Sequence, residues 1–240
     1  MAATLAEWTR DFAEDLWLKA DETGGEDATF LRGALRLAAG ARVLDAPCGA
    51  GRISVHLARA GCLVTGIDLV ESFVDRARRR FNAEGRTGRF LQMDLRRMVF
   101  DEEFHAAYSW QGSFGYFSDE DNIDVMARYA RALMPGGRLL VDQPNREQML
   151  RRFKPRVLTG GIERRNRWQP RSERVESDWL VERDGVVQHN HMSIRLYTPR
   201  QMKGLFESVG LTVEAILGSR EGSSHSRSAR RLITVGVKEG

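Results

Sequence analysis

Two kinds of hydrophobic pattern alternate along the chain. In the first, a short apolar run closes on an acid, as in Arg42-Val43-Leu44-Asp45, Leu63-Val64-Thr65-Gly66-Ile67-Asp68 and Arg89-Phe90-Leu91-Gln92-Met93-Asp94. Such runs predict strands, and 106–110 and 138–142 read as a fourth and a fifth. In the second pattern, apolar residues return every three or four positions, the period of a helix face. Ile53, Leu57 and Ala60 mark one helix, closed by Gly61, and Phe73, Val74, Ala77 and Phe81 mark the next. A third is expected over 119–134, with Ile123, Met126, Tyr129, Ala130 and Leu133 on its apolar face and Pro135-Gly136-Gly137 breaking it.

The second half of the chain departs from this rhythm. Residues 145–169 read as irregular and basic, whereas 175–197 alternate around Asp184-Gly185, a hairpin turn signal. Thr198-Pro199-Arg200-Gln201 then opens a helix with a capping box, and Met202, Leu205, Phe206 and Val209 form its stripe before Gly210. Two last strands, near 211–217 and 231–237, have no helix between them, so one must run antiparallel. The expected fold is α/β: a doubly wound, mostly parallel seven-stranded sheet with one antiparallel strand, plus an antiparallel strand pair inserted after strand five. The domain reading is a core over 35–145 and 196–240, an acceptor-binding insert over 146–195, and an N-terminal helical lid over 1–34 carrying Trp8, Phe12 and Trp17.

Composition narrows the function classes. The 240 residues are 42% hydrophobic and 29% charged, suited to one globular unit with a sizeable core. Aromatics are only 8%, which argues against a base-stacking surface. No apolar run reaches the length of a membrane span and no secretory leader is evident, so a cytoplasmic setting is expected. The two cysteines form neither a metal pattern nor a disulfide framework. The net charge of +4 hides an asymmetry: residues 146–174 hold ten Lys/Arg against three Asp/Glu. Such a run is most often a solvated face; the sharper reading is a site for an anionic acceptor.

The acids at the strand ends carry the chemistry. Ligands of doubly wound sheets bind at the carboxyl ends of the strands, where strand order reverses. Asp45, Asp68 and Asp94 occupy three successive ends, 23 and 26 residues apart, about one strand-helix unit each. Gly49 and Gly51 let the backbone pass close to a ligand. Asp45 suits orienting that turn and attracting a cation, Asp68 both hydroxyls of a ribose, and Asp94 the amino group of an adenine. Together they describe an adenosine joined to something cationic, without phosphate.

These residues resemble the class I S-adenosylmethionine-dependent methyltransferases. Val43–Gly51 is similar to the family's glycine motif, Ile67-Asp68 to its ribose acid, Met93-Asp94-Leu95 to its adenine segment, and Leu133–Leu139 to the turn before strand five. Pro47 stands where many members have glycine. Gly112–Phe117, Arg195–Thr198 and Arg231–Val235 resemble a bacterial small-molecule subgroup, some of whose members methylate sugars or amines. The resemblance implies a Rossmann-like fold, S-adenosyl-L-methionine as cofactor, and contacts to it from Asp45, Pro47, Gly49, Gly51, Asp68, Leu69, Asp94, Leu95 and Trp110. It also implies methyl transfer to nitrogen or oxygen of a small acceptor, with no membrane partner and a homodimer left open.

Rival readings have specific weaknesses. Gly49-Ala50-Gly51-Arg52-Ile53-Ser54 approaches a dinucleotide fingerprint, but Asp45 would then sit close to a pyrophosphate. A non-catalytic protein keeping the fold would have no need of all three acids. An RNA or nucleotide methyltransferase would use the basic run, which lacks interleaved aromatics apart from Phe153 and Trp168. Cys48 lies in the cofactor turn and reads as a packed residue, not a nucleophile. His189 and His191 share one face of a strand and, with Tyr116, are candidates for proton removal or acceptor positioning. Ordinary strand histidines and a packed tyrosine are the plainer readings. No third ligand makes the histidines a metal site, and none is expected.

Overall fold

The computed structural model describes residues 24–183 and 186–240. The lid aromatics Trp8, Phe12 and Trp17 and the Asp184-Gly185 turn lie outside the described residues. Helix α1 (Gly24–Ala34) leads into β1 (Arg42–Asp45), α2 (Ser54–Arg59), β2 (Leu63–Asp68), α3 (Glu71–Ala83), β3 (Arg89–Gln92), β4 (Phe104–Ser109), α4 (Asp119–Ala132) and β5 (Leu133–Pro144). A second group follows: α5 (Arg146–Arg151), β6 (Arg156–Thr159), β7 (Ile162–Gln169), β8 (Arg174–Arg183) and β9 (Val186–Arg195). The chain closes with α6 (Pro199–Ser208), β10 (Leu211–Leu217) and β11 (Arg231–Lys238).

The main sheet has seven strands in the order β10-β11-β5-β4-β1-β2-β3. β11 runs antiparallel to both neighbours and the other pairings are parallel, as the missing helix before it requires. Both sheet faces are covered. Val43 joins Leu31, Leu57, Val74 and Phe81 on one side, while Leu44 joins Met126, Tyr129, Met202 and Phe206 on the other. Adjacent residues of β1 thus enter opposite cores, which explains why its sequence is a continuous apolar run. No helix among the described residues is long and apolar enough to cross a membrane.

The insert corrects the expected strand pair. It is a four-stranded antiparallel sheet, β6-β7-β8-β9, preceded by a short helix. β6 and β7 escape detection because their alternation is between charged and half-buried residues. Glu163 pairs with Arg156 at 2.8 Å and Arg165 at 2.7 Å, so ion pairs occupy positions where apolar residues would have announced a strand. The expected β8–β9 hairpin is present, with Arg183 opposite Val186.

Smaller differences have local causes. α4 ends at Ala132, and β5 begins at Leu133 and carries Pro135-Gly136-Gly137 as an irregularity, with a register shift against β4 between Phe104 and Ala106. Ile123 is 50% exposed; Asn122 and Val125 fill the buried face instead. The Asn122 amide donates to Phe117 O at 3.0 Å, satisfying a carbonyl before the helix. β3 stops at Gln92, since Asp94 turns to cap the short 3₁₀ turn Leu95–Arg97.

Candidate active site

Strand order reverses between β1 and β4, and the carboxyl ends beside such a reversal are where doubly wound sheets bind their ligands. The glycine turn after β1 borders that reversal. Cys48 N donates to Ile67 O at 2.8 Å and Gly51 N to Cys48 O at 3.1 Å, which pins the turn against β2. Gly49 (φ +51°) and Gly51 (φ +70°) are both left-handed, a conformation other residues adopt only with strain. Their surroundings differ. A Cβ on Gly51 would stand 2.9 Å from Ala77 Cβ, so that glycine answers to α3 packing. A Cβ on Gly49 would meet nothing within 4 Å, leaving that side of the turn open for a ligand.

Asp68 joins turn and strand. Its Oδ2 accepts from Gly49 N at 2.8 Å and its Oδ1 from Val70 N at 3.0 Å. Burial is the dominant influence and pushes its carboxyl up to about 6, against the backbone N–H groups that favour the charge. A buried carboxylate with lone pairs to spare suits a pair of hydroxyl donors. Asp45 is also buried; its Oδ2 accepts from Ser54 Oγ at 2.6 Å, tying β1 to the first turn of α2. Burial pushes Asp45 up to about 7. Pro47 follows a cis peptide bond and is half-buried.

Asp94 and Leu95 lie at the end of β3, and Leu95 is buried. Burial raises the Asp94 carboxyl, but hydrogen bonds from Arg96 outweigh it and hold the group below the usual carboxylate range. Arg96 donates through its backbone N at 2.9 Å and its guanidinium at 2.7 Å. Leu69 is half-buried, and its carbonyl accepts from Gln92 Nε2 at 3.3 Å. Trp110 is buried at the end of β4, its ring centroid 5.6 Å from that of Phe30 in α1. Cys48 is buried, and burial first, then Asp45 and Asp68, push its thiol up, which removes any thiolate. This spacing of a bare turn, two buried acids and an aromatic fits the cofactor that the sequence resemblance implies.

The candidate acceptor residues are not brought together. His189 and His191 stand on β9 beside Asp178 of β8, at 3.4 and 2.8 Å. Tyr116 packs with Val175, Ile194 and Trp168, which belong to the other face of the insert. Burial pushes the Tyr116 phenol up to about 12, so it keeps its proton at neutral pH and can donate a hydrogen bond but not serve as a base. Half of the ten basic residues in the run are held in ion pairs. Arg146 pairs with Glu173, Arg167 with Asp178 at 2.9 Å, and Arg174 with Asp119 at 3.5 Å while donating to Gly115 O at 3.0 Å.

Two groups of residues emerge only from the structure. Asp142 lies two residues from the end of β5 and is 1% exposed; it accepts from Gln111 N at 2.8 Å and from Arg231 Nε at 2.6 Å. It thereby shapes the loop carrying Trp110. The signal was available, since Asp142 is one more acid near a strand end. Asp27 of α1 is 3% exposed and accepts from Arg52 at 2.9 Å and Arg220 at 3.3 Å, linking α1, the glycine turn and the β10–β11 loop. No local pattern marks that long-range triad.

Comparison with known proteins finds similarity to methyltransferases. A family described as "Methyltransferase domain" matches residues 43–137. A Geobacillus sp. (strain WCH70) protein described as a methyltransferase is 26% identical over 208 residues, 82% of this chain and 84% of its own. Relatives of higher identity share less: the chain spans about two fifths of their length. The fold matches the CcbJ methyltransferase from Streptomyces caelestis with TM-score 0.78 at 20% identity, over 91% of this chain and 90% of that one. It also matches the sugar N-methyltransferase KedS8 from Streptoalloteichus sp. ATCC 53650 with TM-score 0.66 at 20% identity, over 92% and 90%.

Proposed function

The chain belongs to the class I S-adenosylmethionine-dependent methyltransferases, and from that premise we propose that it methylates a nitrogen or oxygen of a small-molecule acceptor bearing an anionic group. Bound S-adenosylmethionine supplies a methyl group on a sulfonium, open to in-line attack. The Asp68 carboxylate, buried beside the bare Gly49 turn, is the observation that carries the reading; it takes the ribose hydroxyls. Asp94 and Leu95 hold the adenine end, Leu69 and Pro47 flank the adenosine, and Trp110 covers the site. Asp45 adds negative charge that favours a cation.

The remaining work is alignment and exclusion of water. Tyr116 sits in the loop after β4 and positions the acceptor by donating a hydrogen bond. Nitrogen is the favoured target. Tyr116 stays protonated, and the histidine pair faces away from it, so the geometry favours an amine that arrives with its own lone pair. The sugar N-methyltransferase KedS8 among the structural neighbours supports the same choice. The ion pairing of 146–174 speaks against a nucleic-acid surface. Both cysteines are free and buried, which suits a reducing cytoplasm.

The test is release of S-adenosylhomocysteine with matched panels of anionic amines, anionic alcohols and RNA, with products weighed by mass spectrometry. Turnover of anionic amines is expected. Turnover confined to RNA, or to neutral compounds, overturns the reading.

A further inference from the structure

One row of side chains in the insert holds two buried donors, on Arg164 and Asn190, that no hydrogen bond among the described residues uses. Arg164 of β7 lies opposite Trp179 of β8, and Trp179 lies opposite Asn190 of β9. The three side chains therefore stand abreast on one face. Four residues along the same face is the row Trp168, Val175 and Ile194, which packs with Tyr116 and Met149. The Tyr116 side chain, in the loop after β4 where the acceptor is placed above, thus packs on this face, while Arg174 holds the Gly115 and Tyr116 carbonyls from the reverse side. His189 and His191 are on the reverse side.

Arg164 differs from its neighbours in the insert. Arg156, Arg165 and Arg167 each pair with a carboxylate. Arg164 has no such partner among the described residues, and its Nε is buried without a hydrogen bond. Burial alone pulls its pKa down; no nearby acid contributes. Its guanidinium carbon lies 5.1 Å from the Trp179 ring centroid. Asn190 is 8% exposed, and its Nδ2 also lacks a hydrogen-bond partner. Native folds seldom leave buried donors unpaired unless something else accepts from them.

We propose that Arg164 and Asn190, with Trp179 as a platform, bind the anionic group of the methyl acceptor, a carboxylate or a phosphate. The inference rests on the methyltransferase reading above and gives the acceptor a chemical class and a place. A guanidinium presents paired donors that match two oxygens of either anion. The indole face supports the cation and limits its motion. The Asn190 amide supplies a further donor one strand away. The anion then anchors the acceptor on the insert while its nucleophile reaches the cofactor site.

The experiment uses the whole chain and two probes: pyrophosphate followed by phosphorus NMR, and benzoate followed by proton saturation-transfer NMR. S-adenosylhomocysteine binding is measured by calorimetry on the same samples. The wild type should bind at least one probe at millimolar concentration, and the preferred probe tells phosphate from carboxylate. Arg164→Gln should weaken that binding about tenfold or more, with S-adenosylhomocysteine affinity unchanged. Equal probe affinity in Arg164→Gln, or no probe binding by a wild type that binds S-adenosylhomocysteine, overturns the proposal. A wild type that fails to bind S-adenosylhomocysteine overturns the methyltransferase reading instead. If Arg164→Gln loses both ligands, Asn190→Ser decides, since it removes the amide donor and spares the charge; unchanged probe affinity there overturns the proposal.

Discussion

Replacing Asp68 with alanine separates a binding residue from a merely structural one. The substitution strips the acceptors from Gly49 N and Val70 N, two hydrogen bonds at about 1 kcal/mol each. It also removes a carboxylate that burial has pushed from 3.8 to about 6. A folded-state pKa raised above the unfolded one means that the ionised form opposes folding. At neutral pH that opposition is about 3 kcal/mol, from two pKa steps. The two effects nearly cancel, so the melting temperature of the free protein should move by only a few degrees, at roughly 2–4 °C per kcal/mol. Ligand affinity should respond quite differently. Two charge-assisted hydrogen bonds to ribose hydroxyls are worth roughly 3 kcal/mol or more together, so S-adenosylhomocysteine binding should weaken about a hundredfold. Calorimetric titration and thermal denaturation on the same preparation read both. Unchanged affinity with a melting temperature lowered by about ten degrees would refute the reasoning, because Asp68 would then only brace the turn.

Other outcomes follow from the same geometry. S-adenosylmethionine affinity should fall as pH drops through about 7 and then about 6, when Asp45 and then Asp68 gain their protons; free-protein stability should show the opposite trend, decreasing as pH rises from about 4 to 7, and paired titrations at fixed salt check both signs. Gly51→Ala should cost about 2–3 kcal/mol of stability through strain and the contact with Ala77, whereas Gly49→Ala meets open space and should cost only the backbone strain, about 1 kcal/mol, while also lowering cofactor affinity; denaturant curves and calorimetry separate the two. His191→Ala should leave turnover of an amine acceptor within about twofold, since the ring faces away from Tyr116; a loss near a hundredfold would return it to the role of base. Asp27→Ala removes the buried carboxylate that joins Arg52 and Arg220, and should destabilise by about 2 kcal/mol on chemical denaturation.

Much of the core was legible because its local signals coincide with its global role. The acids Asp45, Asp68 and Asp94 close apolar runs, and a parallel strand buried on both faces has no other way to look. The Thr198–Gln201 capping box is a four-residue device, and both of its hydrogen bonds form as expected, at 3.2 and 2.8 Å. The direction of β11 followed from a missing helix, a fact of chain order alone. These features depend on residues a few positions apart, so the sequence by itself determined them.

Tertiary structure decided the rest. β6 and β7 were hidden because charged residues take their pairing positions, Glu163 meeting Arg156 across the strands and Arg165 along its own, which mimics a solvated basic loop when read in line. The distinct duties of Gly49 and Gly51 depend on Ala77, more than twenty residues away. The separation of the histidine pair from Tyr116 depends on which face of a sheet each occupies, and register sets that only once the strands pair. The alignment of Arg164 with Asn190 is of the same kind: the two lie 26 residues apart and become neighbours through Trp179. Local periodicity encodes what a segment is, whereas charge neutralisation and ligand contacts arise between segments, where the linear order carries no distance.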